Sequence, residues 1–302
     1  ISCGIEEETA VPTFGRLITA MVTPMRSDRS VDYDRAAELA RRLVASGSDG
    51  LVVSGTTGES PTLSADEKLK LFETVVKAVG DQVAVIGGTG SYNTEETVRL
   101  TERAAETGVH GILLVTPYYN KPPQEGLYEH FKAAAEATKL PCILYNVPSR
   151  TSINMTAQTT LRLAQIPNIV GVKECADLTQ VAEIVAGAPE GFRVWSGDDS
   201  SALPCMAVGG YGVISVASHV VGREMQEMIQ AFVSGQVDQA AAWHRRLLPV
   251  FKGLFAVTNP VLVKAALEMT GFPVGPLRRP LVEATPEQRD ALRAVLAKAG
   301  VL

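Results

Sequence analysis

Long apolar runs are missing from this sequence: none of its stretches approaches the roughly 18 residues of a membrane-spanning helix, so no such span is expected. Cysteine is scarce, and Cys3, Cys142, Cys175 and Cys205 form no CxxC pair. That spacing argues against zinc ribbons and thioredoxin-like redox motifs and predicts free, mostly buried thiols. The histidines His110, His130, His219 and His244 stand alone, without the paired spacing of a metal site, so no metal is expected. Positive charge is also short. The 28 Lys and Arg against 33 Asp and Glu leave a net charge of -5 and no basic stripe. Nucleic acid and anionic lipid are therefore poor partners, and a small molecule is favoured. The first apolar run leads into Thr23-Pro24 rather than a dinucleotide-binding glycine turn, and neither GTTGES (55–60) nor GGTG (87–90) is followed by the lysine of a phosphate loop. The start, Ile1 to Gly15, carries Glu6, Glu7 and Glu8 where a signal peptide needs positive charge. It reads as a loose leader on a cytoplasmic protein.

What the chain does have is apolar mass, 46% hydrophobic residues against 20% charged, enough for a large core. Eight short β-rich runs recur, beginning at Arg16, Gly50, Val83, Gly111, Cys142, Ile169, Phe192 and Gly212. Most lack polar alternation, the mark of parallel strands covered on both faces. Amphipathic patterns separate them: Ala36, Leu39, Ala40, Leu43 and Val44 share one helix face, and Leu69, Phe72, Val75, Val76 and Val79 another. Ser64 with Glu67 spells a capping box, and Asn93 with Glu96 repeats it. Eight βα units in series predict an α/β fold, a closed (β/α)8 TIM barrel. The expected organisation is a leader over 1–15, the barrel over 16–223, and over 224–302 the last barrel helix and a C-terminal helical region forming one unit with it. No linker separates them.

In such barrels the chemistry sits at the C-terminal ends of the strands. The polar clusters GTTGES, GGTG, the Tyr118-Tyr119-Asn120 stretch, Tyr145-Asn146, Lys173-Glu174 and SGDD (196–199) all fall there. Lys173 ends the buried run Ile169–Val172, and strand alternation decides whether it faces the barrel mouth or pairs outside with an acid such as Glu174. A desolvated amine falls below its ordinary pKa of about 10.4, and only the neutral amine attacks a carbonyl. Tyr145, inside an apolar run, is either a structural phenol or a proton relay to Lys173 one strand over. Thr56 and Thr57 form either a plain turn or a nest of N–H donors for a carboxylate. Asp198-Asp199 reads better as a helix cap than as a metal site.

Taken together, GTTGES (55–60), VTPYYNKP (115–122), YNVPSRT (145–151), VGVKE (170–174), SGDD (196–199) and GVISV (212–216) resemble the dihydrodipicolinate synthases, in order and over most of the barrel. The resemblance implies a pyruvate-dependent class I aldolase in the diaminopimelate route to lysine. Lys173 would form the Schiff base with pyruvate. Tyr145 would relay protons, hydrogen-bonded to the hydroxyls of Thr57 and Tyr119, with Tyr119 reaching in from a neighbouring subunit. The family pattern therefore also implies a homodimer, usually paired into a homotetramer. Thr56 and Thr57 would bind the pyruvate carboxylate through their backbone, Arg150 the carboxylate of L-aspartate 4-semialdehyde, and Gly197 and the carbonyl of Ile214 would complete the wall. No external cofactor is implied. Other pyruvate aldolases of the same superfamily, acting on sialic acids or hydroxy-oxo acids, are the alternative; Ser149-Arg150-Thr151 favours the synthase because a guanidinium suits a short carboxylate-ended substrate. A binding barrel without activity is the reading of another class, opposed by the joint presence of Lys173, Tyr145, Thr57, Tyr119 and Arg150. The stretches matching the feedback site of lysine-inhibited relatives read Ala65–Lys68 and Ser91-Tyr92, with Glu96 kept, which predicts weak or absent inhibition by L-lysine.

Overall fold

A computed structural model of the chain describes residues 14–302. Each of the eight apolar runs is a strand: β1 Leu17–Ala20, β2 Gly50–Val53, β3 Ala84–Gly88, β4 Gly111–Val115, β5 Cys142–Asn146, β6 Ile169–Glu174, β7 Arg193–Ser196 and β8 Gly212–Ser215. All neighbours pair in parallel, and β8 pairs back onto β1, which closes the barrel. The lack of polar alternation has a direct cause. Alternate residues face two different apolar layers, one inside the barrel (Ile18, Val52, Ile86, Leu113, Ile143, Trp195, Ile214) and one between barrel and helices (Leu17, Leu51, Val85, Ile112, Leu144, Val172, Val194).

The helices are α1 Tyr33–Ala45, α2 Ala65–Val79, α3 Thr94–Ala105, α4 Gln124–Glu136, α5 Pro148–Thr151, α6 Ala157–Leu163, α7 Leu178–Gly187, α8 Ala202–Ala207, α9 Ser218–Val233, α10 Val237–Leu254, α11 Val261–Met269 and α12 Pro286–Ala299. The predicted capping box starts α2, with Ser64 and Glu67 satisfying each other's backbone N–H. At α3 only half of it forms. Asn93 accepts the Glu96 N–H, but its own N–H goes to Ser91 Oγ. Helices α10, α11 and α12 pack on one another, α10 and α11 also pack on α9, and no strand follows β8. None of the described helices is long and apolar enough to cross a membrane.

The last two residues of the expected leader are firmly seated. Trp195 Nε1 donates to the Gly15 carbonyl at 2.9 Å, the Phe14 carbonyl accepts from Arg193, and the Phe14 ring meets Trp195 edge-on. Phe14 thus plugs the barrel end opposite the site, and the loose segment expected over 1–15 does not extend to these two positions. The rest of it, Cys3 included, lies outside the described residues.

Candidate active site

Strand parity decides the orientation of Lys173. Leu144, Val172 and Val194 face the helices, so Tyr145, Lys173 and Trp195, one step on, face inward. The three are also side by side, because the register pairs Tyr145 with Lys173 and Lys173 with Trp195. Lys173 is 5% exposed and its Nζ lies 4.3 Å from the centre of the Tyr145 ring. Glu174 points the other way. Its carboxylate accepts from Asn146 Nδ2, Gln180 Nε2 and the Ala176 N–H at 2.8–3.0 Å. No ion pair to Lys173 exists among the described residues. Burial therefore holds the amine below the ordinary lysine range, against the opposing pull of Cys175 and Asp199, with the Arg150 charge adding the smallest push downward.

Tyr145 is 5% exposed, and burial holds its phenol proton on, well above the ordinary range. Of the two threonines, Thr56 shares the cavity wall with Tyr145 and Thr57 does not. This corrects the expected relay. After β2 the chain winds into a short 3-10 turn, Thr56–Gly58, which sends successive side chains in different directions. Thr56 faces the cavity, whereas Thr57 is buried and its Oγ1 accepts from Asn259 Nδ2 at 2.8 Å. The turn is bracketed by Ser54 and Glu59, both with φ near +60° (58° and 57°). Among the described residues, five of the six non-glycine residues with positive φ lie on loops that follow strands, the exception being Ser152 at the end of α5, and such strain clusters at functional sites.

A cavity of about 200 Å³ opens at this end, walled by Thr56, Tyr118, Tyr145, Arg150 and Thr151. That volume suits a small metabolite. Arg150 stands at its exposed rim on α5 and donates to the Asn259 carbonyl at 3.2 Å. Ile214 is fully buried inside the barrel in the same apolar cluster as Tyr145. Tyr119 does not join the others. It is 91% exposed with φ of 74°, a strained backbone that aims its ring out of the chain. Tyr118 lines the cavity instead, edge-on to Tyr92.

Gly197 makes room. A Cβ there would collide with the Cys175 sulfur and come within 2.9 Å of Lys173 Cε. Gly197→Ala must displace the amine, and steady-state kinetics should show kcat falling roughly 10²-fold, the cost of an ångström-scale misplacement. A kcat like that of the unsubstituted chain would mean that Lys173 is free to move. Of the two aspartates, Asp198 is the expected cap, accepting from the Ser200 and Ser201 N–H groups. Asp199 is fully buried, binds the Val216 and Ala217 N–H groups ahead of α9, and is pushed up to about 6 by burial. No cluster of metal-binding side chains occurs among the described residues.

Sequence reasoning missed two neighbours of the site. Cys175 lies two positions beyond Lys173, so parity alone turns it inward; its thiol, pushed up to about 12 by burial, adjoins Tyr145 and stays neutral. Asn259, 202 positions from Thr57, carried no local signal.

A closed (β/α)8 barrel that presents a desolvated lysine beside a buried tyrosine at its strand ends has the make-up of the Schiff-base-forming lyases. The model of the Dihydrodipicolinate synthetase family matches residues 13–299, and the chain belongs to that family. It is 73% identical, over 97% of its length and 100% of the relative's, to the 4-hydroxy-tetrahydrodipicolinate synthase of Symbiobacterium thermophilum. Among solved structures it is similar to the dihydrodipicolinate synthase DapA-2 of Bacillus anthracis (47% identity, TM-score 0.93, 94% of this chain and 98% of that one). The Cyanidioschyzon merolae enzyme with lysine bound is similar too (47% identity, TM-score 0.94, 96% and 99%).

Proposed function

We propose that the chain is a 4-hydroxy-tetrahydrodipicolinate synthase condensing pyruvate with L-aspartate 4-semialdehyde on Lys173. The observation that carries the reading is the amine itself: buried, without an ion-pair partner among the described residues, and set against Tyr145 at the end of β6. A lysine so placed is a poor structural residue and a good nucleophile.

The neutral amine attacks the pyruvate carbonyl carbon to give a carbinolamine. Tyr145, with the Thr56 hydroxyl beside it, passes the proton that lets water leave, and the protonated imine forms. The iminium draws electrons from the methyl group, which loses a proton to give an enamine. The enamine attacks the aldehyde carbon of the second substrate, whose own amine then displaces Lys173 and closes the ring. The N–H groups of the Thr56-Thr57 turn hold the pyruvate carboxylate, and Arg150 at the rim takes that of the semialdehyde in a two-pronged grip. Gly197 and Ile214 close the pocket around the imine. Every step runs on side chains and substrate, so no external cofactor belongs to the proposal.

The outward Tyr119 adds an assembly to the reading. Its ring, 91% exposed on a strained loop, is matched to the pocket of a second copy, giving a homodimer that pairs into a homotetramer in a cytoplasmic setting. Incubation with pyruvate and borohydride, followed by digestion and mass spectrometry, tests the chemistry. A reduced pyruvyl adduct confined to Lys173, with semialdehyde-dependent turnover, is expected; an adduct elsewhere, or none, sinks the assignment.

Feedback control is expected to be weak. Lys68 is largely buried, its ammonium held below the ordinary lysine range by that burial, and it faces Glu96. No ion pair joins the two among the described residues, but a second cation near that carboxylate adds like-sign repulsion to an incoming amino acid's ammonium. Millimolar L-lysine should leave more than half of the activity, as measured in a coupled assay; strong inhibition in that range would show that the site works despite Lys68.

A further inference from the structure

We infer that Asn259 is a positioning residue that ties together the two carboxylate-binding elements of the site, an inference that rests on the function proposed above. Its side-chain Nδ2 donates to Thr57 Oγ1 at 2.8 Å, which fixes the turn holding the pyruvate carboxylate. Its main-chain carbonyl accepts from Arg150 Nη2 at 3.2 Å, which fixes the guanidinium that receives the second carboxylate. One residue, 5% exposed, thus contacts both elements, although β2 and β5 place them on separate strands.

The anchor is itself rigid. Just beyond Asn259, Lys264 on α11 forms a buried ion pair with Glu59, and the Arg278 N–H donates to the other Glu59 oxygen at 2.8 Å. Arg278 also donates to the Thr62 carbonyl and grips both oxygens of Glu67. The segment from Asn259 to Arg278 and the loop from Thr56 to Glu67 therefore form one body. The C-terminal region, which contributes no group to the chemistry, sets the distance between the two carboxylate sites. Asn259 Oδ1 is buried without a hydrogen-bond partner. Such a group is tolerated where the rest of the side chain is held for another purpose.

The test is steady-state kinetics on the full chain for Asn259→Ala, Thr57→Val and the double variant, with borohydride trapping alongside. If the amide acts through the Thr57 hydroxyl, each single change raises KM for pyruvate about tenfold and the double change raises it no further, because both remove the same hydrogen bond. Meanwhile kcat stays within about threefold and the adduct on Lys173 still forms at saturating pyruvate. Arg150 is held by the main-chain carbonyl of Asn259, which alanine keeps, so KM for the semialdehyde should stay within about threefold in all three variants. Asn259→Asp keeps the shape of the residue and sets a carboxylate beside Arg150. It should raise KM for the semialdehyde about tenfold and more than that for pyruvate, and it keeps the test alive if the alanine variant does not fold. Additive rises in KM for pyruvate, or an unchanged KM for the semialdehyde in Asn259→Asp, would overturn the inference. Failure of the unsubstituted chain to form the adduct would instead overturn the functional reading, and the inference with it.

Discussion

Lys173→Ala should abolish the reduced pyruvyl adduct and lower kcat by at least about 10³-fold, because no other amine is placed to form the imine. The same change should leave the melting temperature unchanged or raise it. In the native chain an amine 5% exposed lacks an ion-pair partner among the described residues, and its burial opposes folding. Removing it relieves that opposition, while the small cavity left behind costs something in return. Lost activity with retained stability separates a chemical role from a structural one. The pH dependence carries the same signature. Burial lowers the folded pKa of Lys173, so the neutral amine persists to lower pH than in an ordinary lysine. The rate of adduct formation should therefore level off below the ordinary lysine pKa of about 10.4. A rate that keeps rising to that pH would mean that the amine is solvated, and the reading of the site would fail.

The barrel was legible because its signal is local and repeated. Each strand is a short apolar run followed by a helix whose apolar face recurs at 3.6 residues, and the two layers that bury each strand leave no polar gap. Position at a strand end singled out Lys173 and Tyr145 but left each a structural reading, and the roles given to them and to Arg150 on α5 came from the family resemblance. The failures share a cause as well. Which of Thr56 and Thr57 faces Tyr145 depends on the phase of a single 3-10 turn, and no periodicity reports that phase. The seat of Phe14 and Gly15 depends on Trp195 and Arg193, nearly 180 positions away. Asn259, Lys264 and Arg278 reach the site only through contacts spanning about 200 residues, which neither spacing nor propensity encodes. Half of the expected cap at α3 was lost to a competitor, Ser91, that propensity does not weigh.

Among those long-range contacts, the Glu59–Lys264 pair should give the largest stability effect. The side chains are 1% and 4% exposed, and Glu59 sits in the left-handed region with φ of 57°, held there by its partners. Lys264→Met keeps most of the apolar stem but leaves a buried carboxylate with only the Arg278 N–H, so it should cost about 3–5 kcal/mol. In a chain of this size that lowers the melting temperature by on the order of 10 °C in a thermal scan. The double variant Glu59→Gln with Lys264→Met removes both charges and should recover much of the loss, because the pair gains little net energy beyond cancelling its own desolvation. The kinetic consequence follows from position. The loop that Glu59 anchors also carries Thr56 and Thr57, so Lys264→Met should raise KM for pyruvate even at temperatures where the chain remains folded. If the double variant regained stability without regaining the pyruvate KM, the ion pair would be setting the shape of the turn as well as neutralising two buried charges. If it regained both, any well-packed neutral pair would serve, and the charges would have no part in shaping the site.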